Sequence, residues 1–114
     1  MTEACIVGWA HTPFGKLEDP DVESLIARVA RSAIEDAGIA PADIDGIFVS
    51  LFNNGFSKQD FPASLVMQSV PELRFTQATR FENACASGSA AIHGARDFLA
   101  AGRGRFALVI GAAK

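Results

Sequence analysis

The sequence predicts an α/β fold with a largely parallel sheet, and three observations carry that prediction. Short apolar runs ("GIFVS", "FALVIGAA") look like strands, and the continuity of the first predicts burial on both faces. Between them lie segments whose apolar residues recur at helical spacing. The two kinds alternate along the chain as strand, helix, strand, short helix, strand, helix, strand.

The elements follow in order. "ACIVGWA", ahead of the breaker "HTPFG", predicts a first strand and turn. From Val22, apolar residues at 22, 25, 26, 29, 33 and 37 form the stripe of an amphipathic helix, with Glu23, Arg28, Arg31 and Glu35 on its other side. Gly38 suits a left-handed C-cap, with Ile39 placed for the accompanying apolar contact. After the turn "PADID", "GIFVS" is the second strand, and "LFNNGFSKQD" is a loop. Asp60 is placed to cap a short helix running to about Val70, with Pro62 in its first turn and Pro71 at its end. "RFTQATRFE" is a third extended segment whose mixed polarity suits an edge or interface strand. From Ala86 to Ala101, small or apolar residues fall on nearly every side, which predicts a helix enclosed by its neighbours. "GRGR" breaks it before the final strand.

Composition narrows the function classes. A chain of 114 residues suffices for one domain; 49% of it is apolar and 20% charged. The net charge of −3, with no Lys/Arg run, speaks against nucleic acid and against a membrane surface. The longest uncharged stretch is too short and too rich in Ala, Gly and Ser to span a bilayer. An acid near the N-terminus, where a signal peptide would be basic, makes a cytoplasmic protein the expectation. His11 and His93 have no neighbours at ligand spacing, so no metal is assigned.

Cys85 is the candidate for chemistry. It stands between an extended segment and the first turn of a helix, where unpaired N–H groups and the helix dipole favour a thiolate. Those N–H groups could also stabilise an oxyanion, and Gly88 leaves space for a substrate. Against this, free cysteine is commonly a small buried filler, and position alone leaves both readings open. Cys5, inside the first apolar run, reads as core packing. His93 lies about 12 Å along the helix axis from Cys85 and reads as a structural residue between packed elements. His11 reads as a solvent-facing turn residue, and Glu82 as a solvated or paired carboxylate. "GRGR" follows a helix rather than a strand, so it is no dinucleotide fingerprint.

Taken together, the motifs resemble the thiolase superfamily along the whole chain. "HTPFGK" is similar to the family's N-terminal "RTPFG", with His11 where Arg is common. "NACASGSAAIHGA" is similar to the segment around the acylated cysteine, in wording most like sterol-carrier-protein-type thiolases and acetyl-CoA acetyltransferases. "GRGRFALVIGAAK" is similar to the following strand, but Ala112 and Ala113 precede Lys114 where a Glu is common. The resemblance implies a layered αβαβα fold, with a mostly parallel sheet and a buried central helix beginning at Ala86. It implies that Cys85 accepts an acyl group from acyl-CoA and that its backbone N–H helps form the oxyanion hole. Coenzyme A thioester would be the substrate, with no bound cofactor. The segment before Cys85 would lie near a two-fold homodimer interface, and the remainder of the thiolase fold is the other implied partner.

The resemblance further implies that residues 1–114 form an incomplete N-terminal thiolase-like domain. The family's activating His, second Cys and most CoA-binding loops have no match in this sequence. Two other readings stand beside acyl transfer. One is a thiolase-like structural or partner subunit without condensing activity. The other is a thiolase-fold enzyme of a different acyl-thioester reaction, such as ketoacyl synthesis or retro-aldol cleavage.

Overall fold

The computed structural model describes residues 3–52 and 61–112. The first helix, α1 (Val22–Ala37), begins where Asp21 accepts hydrogen bonds from the Ser24 N–H and hydroxyl at 2.8 and 2.6 Å. Such a cap contributes about 0.5–2 kcal/mol. The helix stops at Gly38, whose φ of 72° needs the left-handed freedom of glycine. Ile39 then packs against the core, as its position after the cap predicts. The buried face carries Val22, Leu25, Ile26, Ala30 and Ile34, with Val29 and Ala33 partly covered beside it.

Strand β1 (Gly46–Ser50) coincides with the "GIFVS" run and is buried at all five positions. Helix α2 (Pro62–Ser69) leads through a short 3-10 turn at Pro71–Leu73 to strand β2 (Gln77–Phe81). Asp60, predicted to cap α2, lies outside the described residues. Helix α3 (Ser87–Ala100) and strand β3 (Ala107–Gly111) complete the order. The three strands are parallel, arranged β2-β1-β3, so β2 is the edge strand that its mixed polarity suggests.

The lateral step across the sheet reverses between the β1–β2 and β2–β3 connections, and right-handed crossovers then require α2 and α3 on opposite faces. The core divides accordingly. Ile47 and Val49 join Ile26, Val66, Leu73 and Ile110 beneath α1 and α2. Phe48 faces the other way and packs with Ala91, Ala95 and Phe98 of α3. Close approach on that side has a local cause: a Cβ on Gly94 would overlap the Phe81 ring.

Two expectations meet a different outcome. The run "ACIVGWA" forms no ladder. β1 and β3 pair directly along their full length, so the segment finds no place between them. It is held instead against the end of α1, where the Trp9 N–H donates to Asp36 at 2.9 Å. Ile6, Val7 and Trp9 are consequently exposed. Helix α3 is covered by the sheet on one face only; Ile92, on the other, is 54% exposed. Its small residues read as enclosure because composition cannot tell a covered face from an uncovered one.

On the α1–α2 side, Arg31 donates to Glu72 and to the Ser69 carbonyl, both at 3.1 Å. The Arg31 hydrogen bond holds the Glu72 carboxyl below its usual value, and Glu72 raises Arg31. A lowered carboxyl stabilises the fold above the unfolded-chain Glu value, and that contribution disappears as pH falls through the folded value. Glu72→Gln therefore lowers stability slightly at neutral pH, and its denaturation midpoint converges with the parent's in acid. Urea titrations across pH 2.5–7, on the order of the carboxylate range, check this. In the same assay Ile26→Ala costs about 2–5 kcal/mol, because it opens a cavity in a fully buried site. Ile92→Ala, on the exposed face, changes stability by less than about 0.5 kcal/mol.

Candidate functional site

Cys85 stands on the turn that joins β2 to α3, at the carboxyl end of the parallel sheet. That end is where open α/β sheets commonly place ligands. The neighbouring strands finish level with it. Phe81 is in register with Ser50, and Ser50 with Gly111. Leu51 and Ala112 extend this edge through their N–H bonds to the Phe81 and Ser50 carbonyls, at 3.3 and 3.1 Å.

The turn itself is tight. The Ala86 N–H donates to the Asn83 carbonyl at 2.8 Å and the Ser87 N–H to the Ala84 carbonyl at 3.2 Å. Ala84 has φ 46°, in the left-handed region where a side chain is strained by about 1–2 kcal/mol. Side chains brace it on both sides. Glu82 Oε2 accepts the Ala84 N–H. The Ser87 hydroxyl donates to the Ala84 carbonyl at 2.7 Å and accepts the Asn83 N–H at 2.8 Å. Cys85 is exposed at the bend, while Ser87 is buried beneath it.

Several sequence expectations are settled by this arrangement. Cys85 is not a buried filler. The N–H groups of Ala86 and Ser87 are engaged within the turn, so these two are not free for an oxyanion. Gly88 faces open space: a Cβ added there would meet no other group within 4 Å. Glu82 is exposed and acts as a backbone acceptor, in keeping with a paired carboxylate. Cys5 is exposed rather than packed in a core, because its segment lies outside the sheet. His93 is exposed on α3 rather than enclosed between elements, because it sits on the uncovered flank. His11 is exposed in its turn, with its ring 4.6 Å from Phe14 and 5.4 Å from Trp9.

Sequence reasoning missed Ser87 and the backbone role of Glu82. The available signal was a serine among alanines at the start of a helix, where alanine alone would serve packing. A wide groove of about 1250 Å³ runs between the 3–12 segment, α1, β3 and the open flank of α3. Cys5 and His11 line it, and it reaches Ser50, Gly88 and Gly111 at the sheet edge beside the turn, although Cys85 itself does not line it. Among the described residues, no cluster of three His, Cys, Asp or Glu could hold a metal ion. No helix among them is long and apolar enough to cross a membrane.

Comparison with known proteins places the chain. The family described as "Thiolase, N-terminal domain" matches residues 4–114. An acetyl-CoA acetyltransferase of Methanocaldococcus jannaschii is 37% identical over 115 residues, covering 100% of this chain and 29% of that protein. One from Methanothermobacter thermautotrophicus is 37% identical over 93 residues, covering 81% of this chain and 24% of that protein. The solved structure of acetyl-CoA acetyltransferase from Syntrophomonas wolfei superposes with a TM-score of 0.77 at 26% identity, over 91% of this chain and 27% of its own. The chain thus spans under a third of the length of these relatives. With its parallel sheet, its strand-to-helix turn and a family match over nearly every residue, the chain belongs to the thiolase superfamily as an N-terminal segment.

Proposed function

We propose that the chain is the N-terminal part of a thiolase-type acyl-CoA acyltransferase and that Cys85 is its acyl acceptor. The observation that carries this reading is the exposed thiol on a braced turn at the carboxyl end of the sheet, within the family match. The acetyl-CoA acetyltransferase relatives support an acyl-CoA substrate.

In the proposed reaction the Cys85 thiolate attacks the thioester carbonyl. A bond forms between Sγ and the acyl carbon, the carbon–sulfur bond to coenzyme A breaks, and coenzyme A leaves as a thiolate that takes up a proton. The acyl group then passes to a second acyl-CoA by Claisen condensation, or the steps run in reverse as thiolysis. This chain contributes the nucleophile and its rigid mounting. The Cys85 N–H is the proposed backbone donor to the oxyanion, as the family resemblance implies. The proton acceptor for the thiol belongs to the rest of the proposed fold, and residues 1–114 are an incomplete domain in this reading.

A homodimer is part of the proposal. β2 ends at the reactive turn and its outer edge has no ladder partner among the described residues, which leaves it able to pair with a second copy.

Two measurements test the reading. Both cysteines are exposed, so iodoacetamide labelling with peptide mapping compares them in one molecule. Cys85 is expected to alkylate at least about tenfold faster than Cys5 at neutral pH; equal rates would sink the nucleophile assignment. Purified 114-residue chain is expected to show no CoA-dependent thiolysis, and measurable turnover would overturn its description as incomplete.

A further inference from the structure

Ser87 is one of two buried polar residues in the described core, and its surroundings give it no packing reason to be polar. The residues three and four positions on, which stack against it along the helix, are Ala90 and Ala91. Alanine is the better helix former and buries no hydroxyl. Nor does Ser87 act as a conventional cap. An N-cap side chain reaches forward to N–H groups of the first helical turn. Ser87 is already inside the helix and reaches backward, accepting from the Asn83 N–H and donating to the Ala84 carbonyl. Its hydroxyl therefore serves the turn rather than the helix.

Ala84's carbonyl belongs to the peptide that carries the Cys85 nitrogen. Holding it fixes the plane from which the Cys85 side chain departs. The same bond opposes the relaxation of Ala84 out of its left-handed conformation, while Glu82 holds the N–H on the other side. We propose that Ser87 is a positioning residue for the Cys85 thiol, using its buried hydroxyl to lock the Asn83–Ala84 turn behind it. This rests on the assignment of Cys85 as the nucleophile.

The test is the ratio of Cys85 to Cys5 alkylation rates in the full chain, with Cys5 as an internal reference remote in sequence. Ser87→Ala is expected to lower the ratio about fivefold, the loss of roughly one effective hydrogen bond, while Ser87→Thr keeps it within about twofold of the parent. Thermal melts of the three proteins accompany the labelling. If Cys85 exceeds Cys5 in the parent but Ser87→Ala leaves the ratio unchanged, or Thr fails to restore it, the positioning role is overturned and the nucleophile assignment stands. If Cys85 never exceeds Cys5, the nucleophile assignment fails and the positioning role falls with it. Should Ser87→Ala not fold, amide hydrogen exchange on the unsubstituted chain decides. The Asn83 N–H donates to the Ser87 hydroxyl, in a turn where Asn83 also forms an isolated backbone bridge with Cys85; free exchange at Asn83 overturns the proposal.

Discussion

The central strand β1 is the constraint on which the rest depends. All five of its residues are buried, and both of its edges are paired. Successive side chains in a strand point to opposite faces, so a single strand must satisfy two cores at once. Ile47 and Val49 serve the α1–α2 side, and Phe48 the α3 side. Full burial of such side chains contributes about 1.5–3 kcal/mol each. A one-residue slip would exchange the two sets and place Phe48 among aliphatic residues already in close contact. The register with β2 is therefore strongly specified, and with it the level at which β2 ends and the turn carrying Cys85 begins.

From that level onward, local chemistry takes over. The chain must leave an extended edge strand and enter a helix on the opposite side of the sheet within a few residues. Ala84 absorbs the change of direction in a conformation that an alanine does not favour. Such strain persists only where the surroundings hold it. Here a carboxylate and a buried hydroxyl hold the peptide groups on either side. The outcome is a small exposed thiol on a braced turn between β2 and α3.

How legible this was in the sequence differs by element. Helix α1 reads almost to the residue, because its apolar period and Gly38 agree. Strand β1 reads equally well, since a continuous apolar run is what two-sided burial requires. "ACIVGWA" carries much the same signal and forms no strand, because ladder partners are allocated by competition among distant segments and β1 and β3 pair with each other. That outcome also decided Cys5, whose apolar neighbours suggested a core. For α3, the alanines and glycines announced close packing without revealing which face was covered. His93 fell on the open one.

By itself, the sequence determined the order of elements from α1 onward, the parallel sheet class, the family, and the cysteine at the strand-to-helix junction, because these follow from local periodicity and short contiguous motifs. Only the tertiary structure decided that Cys85 is exposed, that Ala84 turns left-handed, and that Ser87 reaches back to brace it. The physical reason is that exposure and side-chain hydrogen bonds depend on which groups the packed strands bring together, and one-dimensional spacing does not contain that information.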